Sequence, residues 1–288
     1  MQINSKKAIS ILLCGFLIIG CIACSRTKSE TTDLLGKAIE NFRDASGYKS
    51  KLIITMNNDT QKYPEIPSGD SVHYVEYIKE PFQMLFYADV IDHQIYNLIT
   101  QNKDKIICQT LVDDKNVIRE VGGTAIEVNK AFNSFVIDLI ITNKKNFKEE
   151  GNSNSLPDKI LFKGEILPEQ AENLYQHLQG VYGTSSENEI PNLGFYINNY
   201  NSISSGSQPL PTVVTIDAKS SQITKIEVVT TSALKEAELK SSFLEINQEN
   251  MKSTILLKSA LTQEFSDYNQ VKSIHPGFDK DGYQTRYK

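Results

Sequence analysis

From residue 82 to residue 90, apolar side chains fall on every second position: Phe82, Met84, Phe86, Ala88 and Val90, with Gln83, Tyr87 and Asp89 between them. A period of two sends the two sets to opposite faces of an extended chain. The segment therefore predicts a half-buried antiparallel strand, neither a helix nor a strand covered on both faces. The pattern extends in both directions. Strands are expected at 51–57, with Leu52, Ile54 and Met56 on one face, and at 72–79, 93–100, 105–112 and 117–121, joined by Glu80-Pro81 and the polar turn 101–104. Others follow at 159–166, 194–200 and 252–261. The clearest hairpin runs through 212–217 and 222–229 around Ala218-Lys219-Ser220-Ser221.

Helical spacing interrupts the alternation. Leu35, Ala38, Ile39, Phe42 and Ala45 recur at three and four behind a cap at Thr32 or Asp33, and Gly47 is the expected stop. Val128, Ala131, Phe132, Phe135, Val136, Leu139 and Ile140 predict a strongly apolar helix over 125–141, which must be buried against the sheet. Pro168 opens a further helix carrying Ala171, Leu174, Tyr175 and Leu178, and 233–246 reads as a charged one. Residues 58–69, with Pro64 and Pro67, are expected to be a loop, and 143–158 an exposed excursion. The fold class expected from these elements is α+β with an antiparallel sheet.

Composition removes several function classes. Over 288 residues, 30 basic side chains stand against 35 acidic ones, so no positive excess exists to neutralise phosphates, and nucleic acid is not an expected partner. The four cysteines (14, 21, 24 and 108) and four histidines (73, 93, 177 and 275) share no metal-ligand spacing, so neither metal nor cofactor is expected. Cys108 lies in a strand-like run and is expected to be a small buried thiol. Gly69-Asp70-Ser71 looks superficially like the start of a lipase motif, but no Asp-x-x-His follows, and a turn is the simpler reading. Asp279-Lys280-Asp281-Gly282 lacks the glutamate a calcium loop needs. His93 and His177 have no partner at ligand spacing. The chain is expected not to be an enzyme.

The first thirty residues read as an address. Lys6 and Lys7 precede an apolar run over 8–19, too short for a membrane span and right for a signal peptide over 1–20. Ile18-Ile19-Gly20-Cys21 resembles the bacterial lipobox, whose cysteine receives a diacylglyceryl group; Cys24 in Cys21-Ile22-Ala23-Cys24 is the alternative. That resemblance implies lipidation at Cys21 and a lipid anchor holding the chain on the extracytoplasmic side of a bacterial cell membrane. Residues 21–31 would then form the lipidated cysteine and a polar tether, 32–276 the folded domain, and 277–288 a polar tail.

The order of elements carries a second resemblance. The lipobox precedes a helix opening Leu34-Leu-Gly-Lys-Ala-Ile-Glu-Asn-Phe42. Meandering strands lead to the hairpin from Pro211 to Glu227, then to Glu264-Phe265-Ser266-Asp267-Tyr268-Asn269 and Ile274-His275-Pro276. Together they resemble the lipoprotein-carrier superfamily, of the LolA, LolB, LppX and LprG type together with the regulator RseB. The resemblance implies a strongly curved antiparallel sheet, an incomplete barrel, with helices covering its concave face over a cavity for acyl chains. Ile54, Phe82, Met84, Phe86, Phe132, Phe135 and Leu139 are the expected lining, although the same residues serve equally well as a solid core. It further implies binding or carriage of a lipid or acylated ligand without catalysis. An envelope protein-interaction or sensory module with an envelope protein partner is the alternative within the same fold.

Overall fold

The computed structural model describes residues 28–57, 69–90, 93–112, 115–121, 123–130, 134–152, 158–167, 169–173, 209–229 and 258–274. The first helix, α1 (Lys28–Asp44), buries Leu35, Ala38, Ile39 and Phe42 at the helical spacing read from the sequence. Five hairpin-linked strands follow β1 (Gly47–Asn57): β2 (Gly69–Ile78), β3 (Gln83–Val90), β4 (His93–Asn102), β5 (Lys105–Val112) and β6 (Lys115–Val121). Helical segments α2 (Ala125–Asn129) and α3 (Phe135–Thr142) and a 3-10 turn at Lys144–Asn146 lead to β7 (Lys148–Asn152) and β8 (Lys159–Ile166). The hairpin β9 (Leu210–Asp217) and β10 (Gln222–Val229) and the strand β11 (Lys258–Ser266) complete the sheet.

The eleven strands of the described residues lie in one antiparallel sheet of order β6-β5-β4-β3-β2-β1-β11-β10-β9-β8-β7. Among the described residues the sheet is open, with β6 and β7 as its edges, and is not closed into a barrel. The first and last strands meet at its centre, where Ser50 pairs with Phe265 and Leu52 with Gln263. Register builds the inner face in rows across the strands. One row runs Tyr48, Tyr77, Met84, Ile99 and Cys108; the next runs Ser50, Val75, Phe86, Asn97 and Thr110. Leu35, Ala38 and Phe42 of α1, Val128 of α2, and Phe135, Val136, Leu139 and Ile140 of α3 join this face in a single hydrophobic cluster. Alternation along each strand thus puts the core between the helices and one side of the sheet.

Four expectations are revised. The opposite face is less polar than the alternation implied, because Leu85 packs with Ile78 and Ile274, and Tyr87 stacks on Tyr96 at 4.8 Å and on Tyr74 at 5.9 Å. Gly47 does not simply end a helix. It opens β1, where an added Cβ would lie 2.7 Å from the Tyr77 carbonyl oxygen. Gly69-Asp70-Ser71 is strand, not turn: it begins β2, and Asp70 accepts a 2.7 Å hydrogen bond from Thr55 across the sheet. The excursion at 143–158 contains edge strand β7, and the adjoining Phe147 ring covers Gly164 of β8 so closely that an added Cβ would meet it at 2.6 Å. Its alternation is hidden because an edge strand paired only to β8, with a bulge at Glu149 and Gly151, has little burial to enforce it. The helix expected over 125–141 is described as α2 and α3; Phe132, at 131–133, lies outside the described residues, as do the signal and lipobox and the expected elements at 194–200 and 233–246.

Candidate functional site: a cavity between the helices and one end of the sheet

At the end of the sheet where β1 starts and the β2–β3 and β4–β5 turns meet, a cavity of about 630 Å³ opens between strands and helices. One wall is aromatic. Phe42 and Tyr48 have ring centroids 4.9 Å apart, Tyr48 and Tyr77 likewise 4.9 Å, and Phe82 meets Tyr77 edge-on at 6.2 Å. Such tilted and edge-to-face contacts hold the rings rigid, and all four rings are buried. The other wall is Ala125, Ile126 and Asn129 of α2 with Ser134, the N-cap of α3, and Ile137 and Asp138 of α3.

Local sequence chemistry fixes both walls. Thr124 and Glu127 form a reciprocal capping box, Glu127 N–H donating to Thr124 Oγ1 at 3.3 Å and Thr124 N–H to Glu127 Oε2 at 2.7 Å, which sets where α2 begins. The Asn143 side chain donates to the Leu139 carbonyl at 2.8 Å and accepts from Leu167 N–H at 3.2 Å, tying the end of α3 to the end of β8. Lys79 N–H donates to the Ser46 carbonyl at 2.8 Å and Lys79 Nζ to the Arg43 carbonyl at 3.2 Å, so the end of α1 is pinned to the β2–β3 turn, which includes the cis Glu80-Pro81 peptide. In the β4–β5 turn, Lys103 sits at φ 58° and its carbonyl accepts from the Gln101 side chain at 2.9 Å.

The polar groups of the cavity are perturbed by burial. Tyr48 is held protonated, its pKa driven well up by loss of solvent and secondarily by Tyr77 and Tyr268, and its hydroxyl donates to Asn129 Oδ1 at 3.3 Å. Burial also raises Tyr77, with Glu80 adding to the effect. Burial raises the Asp138 carboxyl despite Lys130, Arg43 and a 3.4 Å hydrogen bond from Ser134, each of which favours its ionised form. They share the cavity wall with Arg43, Lys79, Lys103 and Lys130. Among the described residues no cluster of His, Cys, Asp and Glu side chains fit to hold a metal is formed, and no helix is long and apolar enough to cross a membrane.

Of the residues expected to line a cavity, Phe82 does so here. Ile54, Met84, Phe86, Phe135 and Leu139 are buried in the single core cluster, Met84, Phe86 and Phe135 completely. Phe42, Tyr48 and Tyr77 were not anticipated. Their signal was present in part, since Phe42 lies on the apolar stripe of α1, but the meeting of Tyr48 with Tyr77 depends on a cross-strand register set across residues 58–68. Cys108 is a buried thiol on β5, as its strand pattern implied.

A second cavity, of about 710 Å³, lies mainly on the opposite face, beside Lys51, Tyr74, Leu161 and Val213. Its lysines are already engaged: Lys49 with Asp267 at 2.9 Å, Lys159 with Asp217 at 3.0 Å, Lys225 with Glu227 at 2.8 Å, and Lys51 over the Tyr74 ring at 5.8 Å. That groove is a solvated, self-satisfied surface.

No family model and no curated protein matches the chain. Two solved structures are similar in outline. The Mycobacterium tuberculosis lipoprotein LppX is 8% identical, with 86% of this chain and 99% of that one covered at a TM-score of 0.42. A DUF1329 family protein from Desulfovibrio piger is 10% identical, with 88% and 98% covered at a TM-score of 0.25.

Proposed function

We propose that the protein is a non-catalytic lipoprotein of the extracytoplasmic membrane face that binds or carries a hydrophobic ligand, a lipid or an acylated molecule. The ligand site is the cavity between α2, α3 and the aromatic end of the sheet. In this reading the open sheet curves as an incomplete barrel with its helices on the concave side. The observation that carries the proposal is the cavity itself: about 630 Å³, with Phe42, Tyr48, Tyr77, Phe82 and Ile137 in its wall beside charged and polar side chains from Arg43, Lys79, Lys103, Lys130 and Asp138. That volume falls within the ~300–1,000 Å³ typical of ligand sites. Transfer of an alkyl chain into it would be driven by burial at roughly 25 cal/mol per Å².

An interaction module would need a contiguous exposed apolar patch. Among the described residues the exposed large hydrophobic side chains are Ile118, Ile126 and Val229, on β6, α2 and β10, which favours the cavity over such a patch. The experiment is native mass spectrometry of the full-length protein from neutral detergent micelles after incubation with hexadecanol. A bound alkyl adduct is the expected result, and a bare protein mass contradicts the proposal. The anchor is tested separately by growth on an alkyne-tagged palmitate: label is expected in the wild-type chain and lost in Cys21→Ala, and undiminished label in that variant would reject Cys21 in favour of Cys24.

A further inference from the structure

Four basic side chains, Arg43 from the end of α1, Lys79 and Lys103 from two strand turns, and Lys130 at the end of α2, converge on this one cavity. The chain as a whole is acidic, with 35 carboxylate side chains against 30 basic ones. Elsewhere six lysines, Lys49, Lys105, Lys159, Lys163, Lys219 and Lys225, each lie within reach of a carboxylate. None of the four at the cavity makes an ion pair within 4 Å among the described residues, although Arg43 and Lys130 lie close enough to Asp138 to act on it electrostatically. The lining also contains two carboxylates, Glu80 and Asp138, which leaves an excess of two positive charges around an aromatic pocket.

This arrangement separates two chemistries in space. The rings of Phe42, Tyr48, Tyr77 and Phe82 belong to the wall, while the cations come from the ends of helices and from turns. A guest that satisfies both has an alkyl body and an anionic head. We infer that the cavity selects anionic amphiphiles, with the tail against the aromatic wall and a phosphate or carboxylate head held by Arg43 and Lys130, assisted by Lys79 and Lys103. Arg43 supplies a planar fork suited to two oxygens of such a head, and the lysines act as point charges. The inference rests on the ligand-binding reading above and names the ligand class within it.

The test compares three probes of equal chain length, hexadecyl phosphate, hexadecanol and hexadecyltrimethylammonium, offered to the full-length protein at low ionic strength, where exposed charges are least screened. Charge-assisted hydrogen bonds predict that the phosphate is taken up about tenfold more tightly than the alcohol, with the ammonium weakest. In the double variant Arg43→Gln, Lys130→Gln that preference should fall to parity. Equal uptake of all three probes, or a preference for the ammonium, overturns the headgroup inference and leaves the cavity as a ligand site. A phosphate preference unchanged in the double variant also overturns it, by placing selection elsewhere. Uptake of none of the three removes the ligand-binding reading and this inference with it.

Discussion

Replacing Phe135 with alanine is expected to destabilise the protein by about 3–5 kcal/mol, the usual cost of emptying a buried aromatic site. Phe135 is the first residue of α3 and is fully buried in the cluster that joins the helices to the inner face of the sheet. Total stability of folded domains is typically about 5–15 kcal/mol, so this one change would remove a large share of it. The helix around it has little alternative support. Its sequence Phe-Val-Ile-Asp-Leu-Ile-Ile-Thr buries five of eight side chains, and its N-cap, Ser134, makes no side-chain capping bond. Ile126→Ala is the matched control, because its side chain is 70% exposed and such surface changes cost within about ±0.5 kcal/mol. Urea midpoints measure both, and a Phe135→Ala loss no larger than that of Ile126→Ala would show that α3 is not anchored in the core.

Acid is expected to remove a comparable amount of stability through one histidine. His73 on β2 is completely buried, with its ring 6.1 Å from Phe86 and nearly parallel to it, and burial lowers its pKa from 6.5 to about 4. The folded protein therefore binds this proton less readily than the unfolded chain does. Stability from this group is fully present above pH ~6.5 and falls as the pH drops toward ~4, below which no further loss comes from it. At about 1.36 kcal/mol per pH unit, the loss across that window is about 3 kcal/mol. Asp138 works in the opposite sense: its carboxyl is raised by burial, so its protonation favours the folded state as acid is added. The comparison is accordingly between the wild type and His73→Gln, which cannot titrate. The two stabilities should diverge by about 3 kcal/mol between pH 7 and pH 4, and parallel curves would mean that His73 is hydrated and titrates normally.

What could be read from the sequence follows the strength of the burial signal. The bounds of β8 at Lys159–Ile166 and β10 at Gln222–Val229 match the expected strands, and β5 likewise, because these strands are internal to the sheet and clear turn residues flank them. The stripe on α1 is legible for the same reason: Leu35, Ala38, Ile39 and Phe42 all meet the core. Lys148–Asn152 was not, since Lys-Glu-Glu-Gly-Asn on an edge carries no apolar alternation. The outer cover over Leu85 was missed because it comes from Ile274, nearly two hundred residues away. The cavity was legible only through Phe82. Its other rings sit at the ends of strands and of a helix, where periodicity gives way to register and turn geometry. Its cations come from four separate stretches of chain that only the fold brings to one place.

In the proposed function, the space between α2, α3 and the aromatic end of the sheet receives an alkyl chain. Ala125, half-buried at the start of α2, faces that space and is not part of the fully buried core, so Ala125→Trp would fill it with the least disturbance elsewhere. The decisive measurement is hexadecanol uptake by this variant beside the wild type, read by native mass spectrometry once unchanged urea midpoints show that both are folded. The account predicts an alkyl adduct on the wild type and its loss in Ala125→Trp. Uptake by the filled variant equal to that of the wild type would contradict it.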